Sequence, residues 1–397
     1  MSSTRIRVVS YNLLSSHLSS AYFFTGVADA KYCDPDYRFQ GILEKLTKEV
    51  ENQSIVCLQE VSLLWTGKLT LFFEERNYSF LVSNYGHKFN GFMGVGIAYP
   101  RDHFKLKKSD FITVTDTKIG GWNKKMTLSK QNQDSNNTLF AKLLYPFVRV
   151  YQGLAQLLYQ LKQYLLPSKK PEESSWEIAA KRINTMVCLR LLPKVFEKQN
   201  SSEGEFLIAT YHMPCQFWDP KSMSIHTALT VQAIQMQSGN VYPYILCGDF
   251  NFKPNSPQYK FVTTGVLPER VDDPEDQEVH GKVAQPEPLY PGDPFRFELK
   301  YGPLKSAYNA VYSREPEFTN YAMTQITKKT FAATLDYIFF ANAGETQPNG
   351  KHPTLQVIDA TDLSNQVSKT KTLKSLPSKD EYSDHLLIAA DFKFEFR

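Results

Sequence analysis

Eight polar residues stand at the edges of short apolar runs: Asn12, Glu60, His212, Asp249, Asn251, Asp336, Asp384 and His385. The densest group is Gly248-Asp-Phe-Asn, which follows the strand-like run Tyr244-Ile-Leu-Cys and is closed by Pro254. Asp249 and Asn251 are two residues apart, so an extended backbone sends both side chains to one face. Taken singly, each candidate has an ordinary explanation. Asp and Asn in a turn bond their own backbone, a Glu after a strand suits a helix N-terminus, and a histidine after an apolar run is a common structural hydrogen-bonder.

Together they describe chemistry. Carboxylates and amides without a Cys or His cluster suit a hard cation, Mg2+ or Mn2+, rather than zinc. Such an ion keeps water and open positions and meets phosphate groups. Hydrolysing a phosphate ester needs neutralised oxygens, an aligned water and help for the leaving oxygen. Glu60 can hold the metal and Asp249 can orient and deprotonate water. Asn12, Asn251 and Asn184 can position metal or phosphate without adding repulsive charge. His385 would donate to the phosphate, with Asp336 fixing its tautomer or charge. No Gly-x-Ser-x-Gly elbow supports a serine hydrolase.

The elements that must hold these groups are legible as alternating patterns. Ile6 to Tyr11 reads as a strand ending at Asn12, and Ile55-Val-Cys-Leu as a strand running into Gln59-Glu60. Asp34-Pro opens a helix with Ile42, Leu43, Leu46 and Val50 at helical spacing. Further strands are expected over 78–83, 94–99, 104–116, 183–191, 206–212, 334–340 and 355–358, a helix over 223–239, and a final strand after Asp384-His385. One domain over 1–397 accommodates them, with a helical insertion at about 117–180 and a proline-rich acidic surface loop at about 268–303. Within the insertion, Leu139 to Leu166 is amphipathic, and basic residues such as Lys142, Arg149 and Lys162 make about 139–170 a candidate surface for a membrane or a protein partner.

At 397 residues and 42% hydrophobic the chain can bury a large core, which excludes a disordered or fibrous class. A net charge of +4 tolerates an anionic substrate but is far from the footprint of a dedicated duplex binder. Five cysteines without a C-x-x-C spacing point to a reducing compartment. With no signal-peptide h-region and no run of about 18 apolar residues, the expectation is an intracellular, cytoplasmic protein.

Ser10-Tyr-Asn-Leu-Leu, Leu58-Gln-Glu-Val, Tyr211-His-Met-Pro, Gly248-Asp-Phe-Asn, Leu335-Asp-Tyr-Ile-Phe and Ser383-Asp-His-Leu occur in this order. The ordered set, spanning about 6 to 394, resembles the motif series of the endonuclease/exonuclease/phosphatase superfamily. Asp34-Pro-Asp-Tyr-Arg-Phe, Leu304-Lys-Ser-Ala-Tyr and Phe318-Thr-Asn-Tyr are similar to its branch of carbon-catabolite-repression deadenylases, nocturnin and Angel proteins. The resemblance implies an α/β (α+β) fold, a four-layer α/β/β/α sandwich of two packed, mostly antiparallel mixed sheets flanked by helices. It further implies Glu60 as metal ligand, Asn12 and Asp384 supporting the metal or its waters, and Asp249 with Asn251 handling nucleophile and phosphate. Asp336 then pairs with His385, and His212 lies near the leaving group.

The expected activity is a Mg2+-dependent phosphodiester hydrolase, a deadenylase-like 3′-exoribonuclease or nucleotide phosphodiesterase acting on single-stranded RNA or a nucleotide. Tyr22, Phe23 and Phe24 are candidate base-stacking residues. Two alternatives stand beside it: a membrane-associated phosphatase or phospholipase C-type enzyme, similar to sphingomyelinases or inositol phosphatases, and a non-catalytic scaffold binding a partner through the insertion.

Overall fold

The computed structural model describes residues 3–122, 173–197, 204–268, 286–344 and 353–396. The amphipathic run Leu139–Leu166 and residues 269–285 of the acidic loop lie outside them. Fourteen strands are described: β1 (Ser3–Asn12), β2 (Ile55–Val61), β3 (Tyr78–Asn84), β4 (Gly94–Pro100), β5 (Phe104–Thr113), β6 (Thr185–Pro193), β7 (Phe206–His212), β8 (Tyr244–Asp249), β9 (Lys305–Ser306), β10 (Asn320–Met323), β11 (Thr330–Ala333), β12 (Asp336–Ala341), β13 (Pro353–Ala360) and β14 (Ile388–Phe396). The longer helices are α1 (Pro35–Glu51), α2 (Leu63–Glu74), α3 (Pro220–Ser238) and α4 (Pro257–Thr264).

Two six-stranded sheets form, in the orders β13-β14-β1-β2-β4-β3 and β5-β6-β7-β8-β12-β9, with β10-β11 as a separate ribbon. Each large sheet is antiparallel except at one central parallel pair, β1 with β2 and β7 with β8. A parallel pair needs a crossover, and α1 and α3 supply the two. Asp34 caps α1 by accepting from the Asp36 and Tyr37 amides, with Pro35 in the first turn.

Side-chain alternation assigns the faces of the central strands. Ile6 and Val8 of β1, Ile55 and Cys57 of β2, Ile208 of β7, Ile245 and Cys247 of β8 and Ile338 of β12 fill the space between the sheets. Their neighbours point outward: Val9, Tyr11, Val56 and Leu58 onto α1 and α2, and Leu207, Ala209, Tyr244 and Leu246 onto α3 and α4. The layers are therefore helix, sheet, sheet, helix, as expected.

One stretch departs from the sequence reading. The described part of the loop expected at the surface, 286–303, sinks Asp293 and Phe295 into the outer core of the second sheet. Asp293 accepts two bonds from the buried ammonium of Lys118, at 2.9 and 3.0 Å, and four aromatic rings surround that ammonium at 5.4–5.8 Å. Prolines and acidic residues announce exposure only when no buried cation awaits them.

Candidate active site

The polar groups meet because inner-face alternation continues past the apolar core to one end of the sandwich. Asn12 extends the series Ile6, Val8, Ser10. Asp249 extends Ile245, Cys247, and His212 extends Ile208, Thr210. Asp336 precedes Ile338 on the same face. Glu60 breaks the rule. Ile55, Cys57 and Gln59 face inward, so Glu60 should face α1 and α2. Its backbone is instead left-handed, φ 55°, at a register shift between Leu58 and Val61 against β4, and its carboxylate reaches the inner end. Gly248 is required next door: a Cβ there would sit 1.9 Å from the Tyr211 carbonyl oxygen, which brings β7 and β8 close enough to pair His212 with Asp249.

One buried network joins the two sheets. Asn12 Nδ2 donates to Glu60 Oε1 at 3.1 Å and, across the sandwich, to Asp249 Oδ2 at 2.9 Å. Glu60 Oε2 accepts from the Ser15 amide at 2.9 Å. Asp249 Oδ1 accepts from the Asn251 amide at 2.9 Å. His385 Nδ1 bonds Asp336 Oδ2 at 2.7 Å, and the same oxygen accepts from Thr319 Oγ1 at 2.6 Å. The Nε2 atoms of His385 and His212 each lie 3.6 Å from Asp249 Oδ2, and His212 Nε2 is 4.0 Å from Glu60 Oε1.

Burial and neighbouring charge set the protonation states. Burial pushes the Asp249 carboxyl up to about 6; His385 works against this and Asp336 adds to it. Burial opposes a charge on His385, but the carboxylates of Asp336, Asp384 and Asp249 together hold its pKa well above the ordinary value. Burial also raises the Asp384 carboxyl, with His385 opposing and Glu60 reinforcing. The site thus combines a carboxylate that can take a proton near neutrality with a charged imidazolium that can donate one.

These residues fit a divalent cation. Glu60 lies close enough to Asp384 for its charge to raise that carboxyl, with His212 Nε2 4.0 Å from Glu60, and two neighbouring carboxylates of this kind suit a hard ion. Asp249, Asp336 and His385 also bring ligand atoms within 4.8 Å of one another, all buried. The short Asp336–His385 bond marks that trio as a hydrogen-bonded acid–imidazole group first.

Glu60, Asn184, His212, Asp249, Asn251, Asp384 and His385 line one cavity of about 690 Å3, and Asn12 and Asp336 are bonded to lining residues, but three asparagines make contacts the sequence reading did not foresee. Asn12 offers its amide nitrogen to the carboxylates because its Oδ1 accepts from the Leu14 amide at 2.9 Å, so it orients Glu60 and Asp249 rather than presenting an oxygen to metal. Asn251 is left-handed, φ 52°, not extended, and its Nδ2 holds the Met213 carbonyl at 2.8 Å. Asn184 precedes β6 and gives its Nδ2 protons to the His212 carbonyl at 2.8 Å and Tyr85 OH at 3.4 Å. Of the aromatic trio, Phe24 is buried and Tyr22 is exposed.

Four working residues were not assigned from sequence. Thr319 fixes Asp336, and Asn320 Nδ2 donates to Asp384 Oδ2 at 3.2 Å. Ser383 Oγ donates to the Asn12 carbonyl at 2.7 Å. Arg38 anchors the surrounding loops from α1. Phe318-Thr-Asn-Tyr, Ser383-Asp-His-Leu and Asp34-Pro-Asp-Tyr-Arg-Phe carried the signal, as motifs without a role for these residues.

The model of the Endonuclease/Exonuclease/phosphatase family matches residues 9–385. Human 2′,5′-phosphodiesterase 12 is 25% identical over 405 residues, covering 98% of this chain and 52% of its own. The CCR4-Not complex 3′-5′-exoribonuclease subunit Ccr4 of Aspergillus oryzae is 24% identical over 409 residues, 98% of this chain and 48% of that protein. The chain therefore spans about half the length of the curated relatives it matches. Among solved structures, ANGEL2, a 2′,3′-cyclic phosphatase in complex with adenosine-2′,3′-vanadate, superposes with a TM-score of 0.64 at 18% identity, covering 99% of this chain and 96% of its own. The human nocturnin catalytic domain with bound sulfate gives 0.53 at 18%, covering 98% and 94%. At such identities the likeness is one of fold.

Proposed function

The chain belongs to the endonuclease/exonuclease/phosphatase family, and from that premise we propose that it is a divalent-metal-dependent phosphodiester hydrolase, a 3′-exoribonuclease of the deadenylase kind or a nucleotide phosphodiesterase. The observation that carries this is the buried Asp336–His385 pair set 3.6 Å from an Asp249 carboxylate that Asn12 and Asn251 hold in place. Relatives described as a 2′,5′-phosphodiesterase and a 3′-5′-exoribonuclease support the substrate class, as do Phe89 and Phe331 in the cavity wall, where a base can stack.

Glu60 and Asp384 would hold Mg2+ or Mn2+, which supplies charge neutralisation at the phosphate and a more acidic water. Asp249, raised to about 6, takes the proton of the attacking water, and its two hydrogen bonds fix the direction from which it does so. His385 donates from Nε2 to a non-bridging oxygen, and Asp336 keeps the ring charged and aimed. His212, its Nε2 facing both Asp249 and Glu60, stands beside the leaving oxygen. Asn251 and Asn184 shape the phosphate pocket through the Met213 and His212 carbonyls. Five free cysteines support a reducing, cytoplasmic setting, and among the described residues no helix is long and apolar enough to cross a membrane.

Incubating 5′-labelled oligo(A) RNA with Mg2+ tests the reading. A shortening ladder is expected, abolished by Glu60→Ala and slowed about 10²- to 10⁴-fold by Asp249→Asn, the range of a lost general base. If the RNA stays intact and a parallel panel of NADP and short 2′,5′-linked oligonucleotides is also untouched, the reading fails. Flotation with liposomes, with and without residues 139–170, tests the membrane role expected of that run.

A further inference from the structure

Arg38 is fully buried in the first turn of α1, and among the described residues no carboxylate bonds it. Burying an unpaired guanidinium is costly unless its donors are satisfied. Here Nε and Nη2 go to backbone carbonyls, Nε to Tyr382 O at 2.6 Å and Nη2 to Leu14 O at 2.7 Å and also to Leu13 O, while the buried Nη1 meets no acceptor among the described residues. The guanidinium carbon sits 5.3 Å from the ring of buried Trp65, which fixes the plane of the fork.

The other ends of those same peptide groups matter more. The Leu13 carbonyl belongs to the peptide whose N–H, that of Leu14, donates to Asn12 Oδ1 at 2.9 Å. The Leu14 carbonyl belongs to the peptide whose N–H, that of Ser15, donates to Glu60 Oε2 at 2.9 Å. Two consecutive carbonyls can converge on one guanidinium because Leu14 is left-handed, φ 52°, a conformation that costs a leucine about 1–3 kcal/mol and persists only where its surroundings impose it. The third carbonyl, Tyr382, lies one residue before Ser383, whose hydroxyl donates to the Asn12 carbonyl and accepts from the His385 amide at 3.2 Å.

We propose that Arg38 is a positioning residue of the hydrolytic site: it grips the 13–14 and 14–15 peptides and thereby fixes the amide face of Asn12 and the carboxylate of Glu60, while tying the 382–385 loop to the same point. With Asn12 Oδ1 held, only its nitrogen can face Glu60 and Asp249. Releasing the two peptides frees that amide to turn and lets Glu60 leave its corner, although Arg38 itself touches neither. This rests on the reading that Glu60 and Asp384 hold a divalent ion.

The test is calorimetric titration of the full chain with Mn2+ and with Mg2+, for wild type, Arg38→Met, Arg38→Lys and Glu60→Ala, each first checked by near-UV circular dichroism. Removing an outer-shell partner typically weakens metal binding about 10- to 100-fold, so Arg38→Met should raise the Mn2+ dissociation constant at least tenfold and lower kcat with little change in KM. Arg38→Lys, which keeps the charge but not the fork, should recover part of the affinity. A merely structural role would lower Tm and leave the affinity of the folded fraction alone; a folded Arg38→Met that binds Mn2+ within twofold of wild type overturns the proposal. Should Arg38→Met not fold, Arg38→Lys decides by the same criterion. Wild-type affinity in Glu60→Ala would instead sink the underlying metal reading.

Discussion

Asn12 joins the two sheets at the hydrolytic site. Its nitrogen lies between Glu60 on its own sheet and Asp249 on the other, and it is neutral where a third charge would be least tolerable. Asn12→Asp, nearly unchanged in shape, would set three buried carboxylates against one another. Like charges raise folded-state carboxyl pKa values above their unfolded values. Such groups cost stability at high pH and return it as pH falls through the raised folded values. In EDTA at pH 8 the variant should be less stable than wild type by about 2 kcal/mol or more; at pH 5, or on adding Mn2+, most of the loss should vanish. Urea unfolding of both proteins at the two pH values checks this, and equal stability at pH 8 would refute it.

At the scale of elements, α3 carries a second titration, away from the site. His226 is fully buried on this helix; burial, and then the charge of Arg182, push its pKa down to about 3. A ring held neutral in the fold but free to charge near 6.5 when unfolded contributes fully above that value and progressively less as pH falls towards 3. Between pH 8 and pH 5 the loss is about 2 kcal/mol. His226→Phe should remove that slope from the stability–pH profile whatever it does to stability at pH 8; an unchanged slope would show that His226 is not its source. Nothing in the helical pattern of 223–239 separates this histidine from a surface one, because the pattern marks which face is buried and not how little room is left there. The same limit explains the other gaps. Asn12, His212, Asp249 and Asp336 were legible because they continue strict strand alternation. The left-handed backbones of Glu60, Leu14 and Asn251 depend on neighbours distant in sequence, so the side chains they aim could be named but not placed. Arg38 stands in the Asp34-Pro-Asp-Tyr-Arg-Phe motif, but its role could not be read there, since its three carbonyls come from residues 13, 14 and 382.

At the scale of the whole molecule, the sandwich is two similar sheets, each centred on a parallel pair bridged by a helix, with the polar ends of β1, β2, β7 and β8 converging. Inside this mostly apolar seam, Gln59 of one sheet donates to Thr210 Oγ1 of the other at 2.9 Å and to Ser10 Oγ of its own at 3.1 Å, all three fully buried. A double-mutant cycle of Gln59→Leu and Thr210→Val, followed by urea unfolding, should give a coupling of about 1 kcal/mol, the net worth of such a bond. Zero coupling would show that this bond adds nothing to the seam. Because β1 and β14 pair antiparallel, Ser3 faces Glu395 and the ladder runs inward to Ser10 and Ile388. A load pulling Ser3 and Glu395 apart would therefore unzip the pairs one after another, starting at the edge remote from Asn12 and His385. Tension along the backbone reaches the hydrolytic end last, so under mechanical force it is the final part of that seam to open.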